Sequence, residues 1–489
     1  MLVYGCTVGG TFVYDDIFVI LSDPRMAHPS LWGRFWTQPF VATPDKPFRP
    51  LLSMSFAVQY FLSGPRGWPF HLANILLHAL ASGAVAELAR RLAGLRTAWF
   101  AGLIFAVHPA HAEAIAAIVG RSELVCGLAI FCGLCLYLRP LSAGRIAAIA
   151  GCGVVALLTK EQGMLFPFLI LFLTPFRRAL LRPVAERKQT AWLAAILCYL
   201  LAGYILYREM AIGFSWDRAF LEWVLNPLVR SRGIDRVLMP LVLVGRYAVL
   251  LAWPHRLSVD YGATGIGWTA SPRDPYLYLG IFTVIAWLVA LAFVSLRRKW
   301  AAVFCLLALG LTYGMVGNIA ALIGPIFAER IIYLPSAFVF ILAGMVIGRL
   351  NLRLMAPLLV VLTAMGGAAA FSYARLWNDP IALFKQCVRD QPGSERVYAL
   401  LYREYILRGD WRSARRVAGE SIAAARESDG PYTMCIDADL ALGDLDDARA
   451  IYDRGMANCH GFERLFLVLE GGKLAAAASP TTRAAPSPP

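Results

Sequence analysis

Long apolar runs separated by short polar turns make up the first three quarters of the chain. A membrane-spanning helix needs about 20 largely apolar residues, whereas barrel strands are shorter and alternate in polarity. The pattern therefore predicts an all-α polytopic membrane protein with about 11 transmembrane helices. We assign the crossings to the short opening segment, to a run beginning near Phe70, and to residues 97–116, 122–138, 146–158, 163–176, 190–207, 276–296, 301–317, 331–348 and 355–373.

Basic residues between the apolar runs orient these helices, because short loops rich in Lys and Arg stay in the cytoplasm. With those loops inside, the amino terminus lies in the cytoplasm and the carboxyl terminus lies outside. Residues 237–253 fit neither direction, and we interpret them as a re-entrant or interfacial helix in an external loop. The loops assigned to the cytoplasm carry Arg90, Arg91, Arg96, Arg139, Arg145, residues 175–189, residues 297–299, Arg349 and Arg353.

The chain becomes polar and Ala-rich after Ser372, and it contains an internal repeat. The segment RGDWRSARRV at 408–417 matches LGDLDDARAI at 442–451, 34 residues later. A helix–turn–helix repeat of this length indicates tetratricopeptide (TPR) repeats, although two unrelated amphipathic helix pairs would give a similar pattern. We divide the chain into a membrane domain at 1–373, TPR-like extracytoplasmic repeats at 374–465, and a disordered tail at 466–489.

Composition supports this organisation and limits the classes of function. Of 489 residues, 58% are hydrophobic and 16% are charged, against about a quarter charged in soluble domains, and the mean hydropathy is +0.59. The net charge of +14 reflects the cytoplasmic loops, so we expect no nucleic-acid partner. Cys132 and Cys135 lie in an apolar run, where packing is a better interpretation than redox or metal chemistry. The opening run is too short and lacks the basic start of a cleavable signal peptide.

Charged and His side chains outside the basic loops fall on the predicted external side. Charges beside membrane helices are costly and usually functional. Carboxylates can act as a general base, and cations can hold a phosphate, so the set suits sugar transfer from a lipid-phosphate donor at the membrane surface. The set comprises Asp15, Asp16, Arg49, His108, His111, Glu113, Arg121, Glu123, Lys160, Glu161, Asp260, Glu329 and Arg330.

Two pairs in this set also have structural interpretations. Asp15 and Asp16 could cap a helix at the membrane interface, because carboxylates accept hydrogen bonds from free N–H groups at helix starts. Glu329 and Arg330 could form a buried ion pair that fixes helix packing. The sequence leaves these alternatives open.

The histidines are better explained by hydrogen bonding than by metal binding. His108, His111 and Glu113 lie close in sequence, but Pro109 breaks their spacing and the chain has no H-E-x-x-H motif. Hydrogen bonding or substrate contact is the preferred interpretation, and metal ligation is the alternative. His71 and His78 lie seven residues apart on one helix face, which favours polar contacts between helices.

Several stretches, in order along nearly the whole chain, resemble the transmembrane-and-TPR-containing O-mannosyltransferases. This family is related to the protein O-mannosyltransferases of the GT-C glycosyltransferase superfamily. HPAHAEA followed by GRSELV, TKEQG and AERIIYLPS is the most specific combination. The matching stretches are FVYDDIFVI (12–20), FRPLLSMSFAVQYFL (48–62), FHLANILLHAL (70–80), residues 101–125, LLTKEQGMLFP (157–167), RLSVDYG (256–262), AERIIYLPSA (328–337) and the C-terminal repeats.

This resemblance implies a GT-C membrane fold and an inverting transfer of a sugar, mannose in the best-known relatives. The donor would be a polyprenyl-phosphate sugar, the acceptor a Ser or Thr hydroxyl of a protein, and no metal or other cofactor would be needed. The catalytic base would be Asp15 or Asp16; Asp15 is the preferred candidate, with Asp16 then orienting it or binding substrate. Arg49, Arg330 and Lys160 would bind the donor phosphate. The remaining candidate substrate contacts are Glu161, Glu329, His108, His111, Glu113, Arg121 and Asp260.

Two other classes of function remain. A transporter or lipid flippase needs polar residues at the membrane midplane and on both sides, whereas here they gather on one side. A TPR-bearing membrane scaffold has no need of external acids and cations in a protein-lined site. The basic loops and Ala/Arg-rich composition suggest a bacterium, which would place the protein in the inner membrane with its site and repeats in the periplasm. The sequence leaves the sugar, the acceptor, the lipid length and the oligomeric state open.

Overall fold

The computed structural model describes residues 2–41, 47–181, 187–213, 226–262, 266–267 and 269–478 of the chain. Within these ranges the regular structure is entirely helical, with 20 α-helices joined by short 3₁₀ and π turns. The predicted all-α class is confirmed. Residues 479–489 of the predicted disordered tail lie outside the described residues.

Fourteen α-helices precede Trp377. They are α1 (Pro24–Ala27), α2 (Pro50–Ser63), α3 (Gly67–Ala93), α4 (Leu95–Val107), α5 (Ala112–Ala116), α6 (Arg121–Tyr137), α7 (Ala143–Thr159), α8 (Phe166–Leu181), α9 (Arg187–Ile212), α10 (Asp235–Ala252), α11 (Pro275–Leu296), α12 (Trp300–Val316), α13 (Tyr333–Ile347) and α14 (Leu352–Leu376).

Seven helical segments among the described residues are long and apolar enough to cross a membrane, and these confirm a multi-pass membrane protein. They are Gly67–Ala93, Ile118–Tyr137, Glu161–Leu180, Arg187–Ile212, Pro275–Leu296, Arg330–Ile347 and Leu352–Leu376. The shorter apolar helices α4, α7 and α12 match three further predicted crossings. The count of about 11 remains a prediction.

The opening segment differs from its predicted crossing. Residues Gly5–Gly9 form one 3₁₀ helix and the chain leaves it in an extended conformation at Gly10. The Asn378 side-chain amide donates a hydrogen bond of 2.7 Å to the Cys6 carbonyl, so this segment packs on the start of the C-terminal region. A Cβ on Gly10 would lie 2.9 Å from Asn378 Oδ1, so the contact needs the glycine.

The predicted segment 237–253 corresponds to α10 (Asp235–Ala252), which packs against α11. Gly245 faces the Tyr276 carbonyl and Gly280 faces the Leu241 carbonyl, so small residues bring the two backbones together, as is common between membrane helices. The interpretation of this segment as a re-entrant or interfacial helix stays a prediction.

The last six helices form a stack in which each packs against the next. The helices that begin at Glu395 and Asp429 start 34 residues apart, and so do those that begin at Trp411 and Leu445. The last helix continues to Ala478, so the predicted boundary at 465 falls inside it. The stack comprises α15 (Pro380–Asp390), α16 (Glu395–Leu407), α17 (Trp411–Ala424), α18 (Asp429–Leu442), α19 (Leu445–Asn458) and α20 (Phe462–Ala478).

Candidate functional site

Asp15 and Asp16 follow each other in the opening segment but have different surroundings. The Asp16 carboxylate is fully buried and accepts hydrogen bonds from the backbone N–H groups of Val119, at 2.9 Å, and Val13, at 3.3 Å. Its side chain does not cap the short helix that begins at Ile17, but it accepts the Val119 N–H in the first turn of the helical segment Ile118–Tyr137, which agrees with the capping interpretation for this residue. Asp16 thereby ties the opening segment to the turn before α6.

Asp16 is expected to make stability depend on pH. Burial raises the pKa of its carboxyl to about 7, although the N–H groups of Val119 and Val13 favour the charged form. The unfolded chain titrates this group near pH 4, so the folded chain binds the proton more tightly and loses stability as pH rises from about 4 to about 7. The thermal unfolding midpoint should fall over this range, and the fall should be smaller in Asp16→Asn. Equal falls in both proteins would exclude this assignment.

Asp15 is half-buried, and its carboxylate makes no hydrogen bond or ion pair within the described ranges. It is close enough to Arg330 and Glu113 to interact with both electrostatically. The preceding residue, Tyr14, has φ +59°, a left-handed conformation that is uncommon for an aromatic residue and that occurs at functional sites. Asp15 thus combines partial exposure with open acceptor oxygens, as a general base requires.

Arg330 pairs with Glu113 rather than with its neighbour Glu329. The Arg330 backbone N–H donates to Glu113 Oε2 at 2.8 Å, and its guanidinium forms an ion pair with the other oxygen of that carboxylate. The Glu329–Arg330 ion pair, one of the two interpretations that the sequence left open, does not form between these described residues, because they face different parts of the protein. This Glu113–Arg330 pair lies beside Asp15 and joins the turn after α4 to the start of α13.

Glu329 is fully buried and faces the segment 256–262, which the sequence predicts to be external. Its Oε1 accepts hydrogen bonds of 2.6 Å from the Tyr261 hydroxyl and from the Ser258 backbone N–H. Burial, reinforced by the nearby Glu113 carboxylate, raises the pKa of Glu329 well above its usual range. Glu329 therefore holds the segment 256–262 beside the site, and its hydrogen bonds go to that segment and not to Arg330.

The predicted cations Lys160 and Arg49 each have a carboxylate partner. Lys160 forms an ion pair with Glu123 at the start of α6. The Arg49 guanidinium donates to both oxygens of Glu161, at 3.1 and 2.8 Å. Burial and then the nearby Arg49 charge lower the pKa of Lys160 well below its usual range. Lys160 also interacts electrostatically with the Glu113–Arg330 pair, so one charged cluster extends from Asp15 to Glu161.

His108 and His111 are engaged with the protein. The Nδ1 atom of His111 lies 2.8 Å from the Phe105 carbonyl, and its Nε2 atom lies 2.9 Å from Ser336 Oγ. His108 Nε2 donates to the Leu251 carbonyl at 3.1 Å. These contacts agree with the hydrogen-bonding interpretation and hold the turn that carries Glu113.

Arg121 is buried and holds the same turn from the other side. Its guanidinium donates to Asn74 Oδ1 at 3.1 Å and to Gln59 Oε1 at 2.6 Å, and it stacks 4.6 Å from the Phe56 ring centroid. The Asn74 amide in turn donates to the Ala117 carbonyl at 3.0 Å. Arg121 therefore supports the site from behind and does not reach the half-exposed carboxylate of Asp15.

A large apolar cavity lies beside the charged cluster, between α4 and α10 to α14. Its volume is about 990 Å³, near the upper end of typical ligand pockets. Ile332, two residues after Arg330, lines it, and so do Tyr247, Trp287, Gly314 and Phe340. The cavity offers space for a long hydrocarbon group next to the cations.

Comparison with known proteins agrees with the resemblance read from the sequence. No family model matches the chain. Protein O-mannosyl-transferase TMTC4 of Mus musculus is 28% identical over 400 residues, which is 69% of this chain and 53% of that protein. Protein O-mannosyl-transferase tmtc2 of Xenopus laevis is 32% identical over 180 residues, 34% of this chain and 21% of that protein. The chain is similar in sequence to TMTC protein O-mannosyl-transferases.

A third relative, protein O-mannosyl-transferase F38B6.6 of Caenorhabditis elegans, is 24% identical over 81% of this chain and 57% of its own length. The chain thus spans between about a fifth and somewhat over half of these relatives. The crystal structure of ArnT from Cupriavidus metallidurans bound to undecaprenyl phosphate aligns with 92% of this chain and 77% of that one, at 17% identity and a TM-score of 0.39.

The sequence analysis did not predict that the C-terminal helices contribute side chains next to the candidate site. Ser394 Oγ donates to Asp260 Oδ2 at 2.8 Å, and the Arg396 guanidinium lies 3.9 Å from the other oxygen of that carboxylate. The sequence did contain a signal of this contribution: Arg396 is a basic residue in the first turn of α16, where acidic residues are favoured. Asp260 therefore anchors the repeats beside Asp15.

Proposed function

We propose that this chain is an integral-membrane glycosyltransferase that moves a sugar, mannose by analogy with the names of its relatives, from a polyprenyl-phosphate donor to a Ser or Thr hydroxyl of a protein acceptor. The site and the C-terminal repeats face the extracytoplasmic side, which is the periplasm if the host is a bacterium. The observation that carries this proposal is the open, half-buried carboxylate of Asp15 next to a cluster of cations.

Asp15 acts as the general base in this mechanism. Its carboxylate takes the proton of the acceptor hydroxyl as that oxygen attacks the anomeric carbon of the sugar. The bond between the anomeric carbon and the phosphate oxygen breaks, and polyprenyl phosphate leaves with the electron pair. Attack opposite to the leaving group inverts the anomeric configuration. The balance needs no oxidant, reductant or further co-reactant.

Fixed cations offset the charge that develops on the leaving phosphate. Arg330, Lys160 and Arg49 are held in place by Glu113, Glu123 and Glu161, so their positions cost no reorganisation during the reaction. This arrangement supplies the positive charge that other phosphate-handling enzymes obtain from metal ions. We therefore propose a reaction that proceeds without a metal cofactor.

The apolar cavity suits the hydrocarbon chain of the donor. Gly314 lines it, and a Cβ at that position would meet nothing within 4 Å. A Phe at this position would occupy cavity space that the lipid needs. Gly203, on the exposed side of α9, also has no neighbour within 4 Å of an added Cβ and lies outside the cavity, so it serves as a matched control position.

The test is sugar transfer by the purified protein in liposomes. We expect transfer of labelled mannose from undecaprenyl-phosphate mannose to protein acceptors, and loss of O-hexosylated Ser and Thr peptides from cells without the gene, measured by mass spectrometry. Gly314→Phe should raise KM for the long-chain donor about tenfold, while a short-chain farnesyl donor and the Gly203→Phe variant change little. Movement of the lipid-linked sugar across the bilayer without transfer would instead indicate a flippase.

A further inference from the structure

Helix α16 of the C-terminal stack lies against the segment that carries Asp15. Ser394 caps this helix by accepting the Val397 N–H, and its hydroxyl donates to Asp260 in the external segment 256–262. At the far end of the contact, the Arg403 guanidinium lies 5.2 Å from the Phe18 ring centroid. Two contacts about two helical turns apart therefore fix the orientation of α16 on the membrane domain.

Arg396 occupies the part of α16 that is nearest to Asp15. Its guanidinium lies 5.5 Å from the ring centroid of Tyr14, the residue before Asp15, and it interacts electrostatically with both Asp15 and Arg330. Its nearest carboxylate oxygen, Asp260 Oδ1, is 3.9 Å away, which is too far for a hydrogen bond. The side chain is 31% exposed, so its N–H groups remain open to a ligand.

The other cations near Asp15 are already engaged. A guanidinium that binds a carboxylate through two N–H groups has fewer donors left for a phosphate. Among the described residues of this cluster, Arg396 is the cation without a hydrogen-bonded acid partner. The engaged cations are Arg49 with Glu161, Lys160 with Glu123, and Arg330 with Glu113.

The position of Arg396 on its helix points to the same role. A cation in the first turn of a helix lies at the positive end of the helix dipole, which is unfavourable unless an anion is bound there. Arg396 is the second residue of α16, and the free N–H groups of that turn add to its attraction for an anion. Asp260 and Glu395 supply part of the negative charge at this helix start, and a bound phosphate would add to the anion that the turn favours.

We propose that Arg396 binds the phosphate of the lipid-linked donor beside Asp15, so that the C-terminal repeats supply a substrate-binding residue and complete the active site. The inference rests on the proposed function. In an inverting transfer the base and the leaving phosphate lie on opposite faces of the anomeric carbon. The gap between Asp15 and Arg396 would then hold the sugar ring.

Binding of sugar-free undecaprenyl phosphate tests this role, because the phosphate is present and no transfer is needed. We expect Arg396→Gln to weaken binding of this lipid about tenfold or more, as measured by its Kd and by its inhibition constant in the transfer assay. KM for the donor should rise by the same factor while KM for the acceptor stays unchanged. Arg396→Lys should recover part of the loss because it keeps the charge.

Arg403→Gln is the matched control, since Arg403 is on the same helix and contacts the same segment through Phe18. It should leave lipid binding unchanged and show whether loosening of the α16 contact alone has an effect. Equal Kd values for wild type and Arg396→Gln would overturn the inference, and so would equal losses in both variants. Failure of the wild type to bind undecaprenyl phosphate would instead overturn the proposed function.

Discussion

Replacing Asp15 with Asn should lower kcat for sugar transfer by about 10²–10⁴-fold, the usual contribution of a general base. The amide keeps the shape of the side chain but cannot take the proton of the acceptor hydroxyl. Because the Asp15 carboxylate makes no hydrogen bond or ion pair with another described residue, the thermal unfolding midpoint should change little. Donor KM should also stay near the wild-type value, since the phosphate is held by cations.

Asp16→Asn is the matched comparison, one residue away in the same segment. Asn offers one acceptor oxygen where Asp16 uses two, for Val119 and Val13, so this variant should lose stability and part of its activity with it. A full rate in Asp15→Asn would remove Asp15 from the role of base. The opposite pattern, with Asp16→Asn stable and inactive, would transfer that role to Asp16.

Most of the helical architecture could be predicted from the sequence, because hydropathy and basic loops are local signals. The predicted crossing at 276–296 corresponds to the helix Pro275–Leu296, and that at 122–138 overlaps the helical segment Ile118–Tyr137 except for its last residue. The prediction that the opening segment crosses the membrane was wrong. Its glycines and its contact with Asn378 favour a tight 3₁₀ turn that packs on the C-terminal region. Such a contact joins distant parts of the chain and leaves no periodic pattern.

The gathering of charges could also be predicted, since they share one side of the membrane, but their partners could not. Consecutive helical residues point about 100° apart, so Glu329 and Arg330 at the start of a span reach different neighbours. Arg330 meets Glu113 because the turn after α4 is held there by His108 and His111. These positions depend on how whole helices pack, which a single sequence does not specify.

Removal of the charge from Glu113 should have the largest effect on stability. Glu113→Gln leaves the guanidinium of Arg330, whose side chain is 23% exposed, without its acid partner, and we expect a loss near the lower end of the range for buried ion pairs, about 3 kcal/mol of unfolding free energy. The Arg330 backbone N–H also loses its charged acceptor. Donor binding should weaken as well, because Arg330 is no longer fixed beside Asp15. The thermal unfolding midpoint in one detergent and KM for the donor measure the two effects.

Glu87→Gln is the matched control, because Glu87 pairs with Arg90 and Arg91 at the more exposed end of α3. Exposed pairs contribute about 0–1 kcal/mol, so this variant should unfold close to the wild-type temperature. Changing both members of the pair, with Glu113→Gln and Arg330→Met together, should recover part of the lost stability, since no unpaired buried charge remains. It should recover none of the donor binding, because the Arg330 cation is gone. If Glu113→Gln were no less stable than Glu87→Gln, the Glu113–Arg330 pair could not be the contact that holds the turn after α4 to the start of α13.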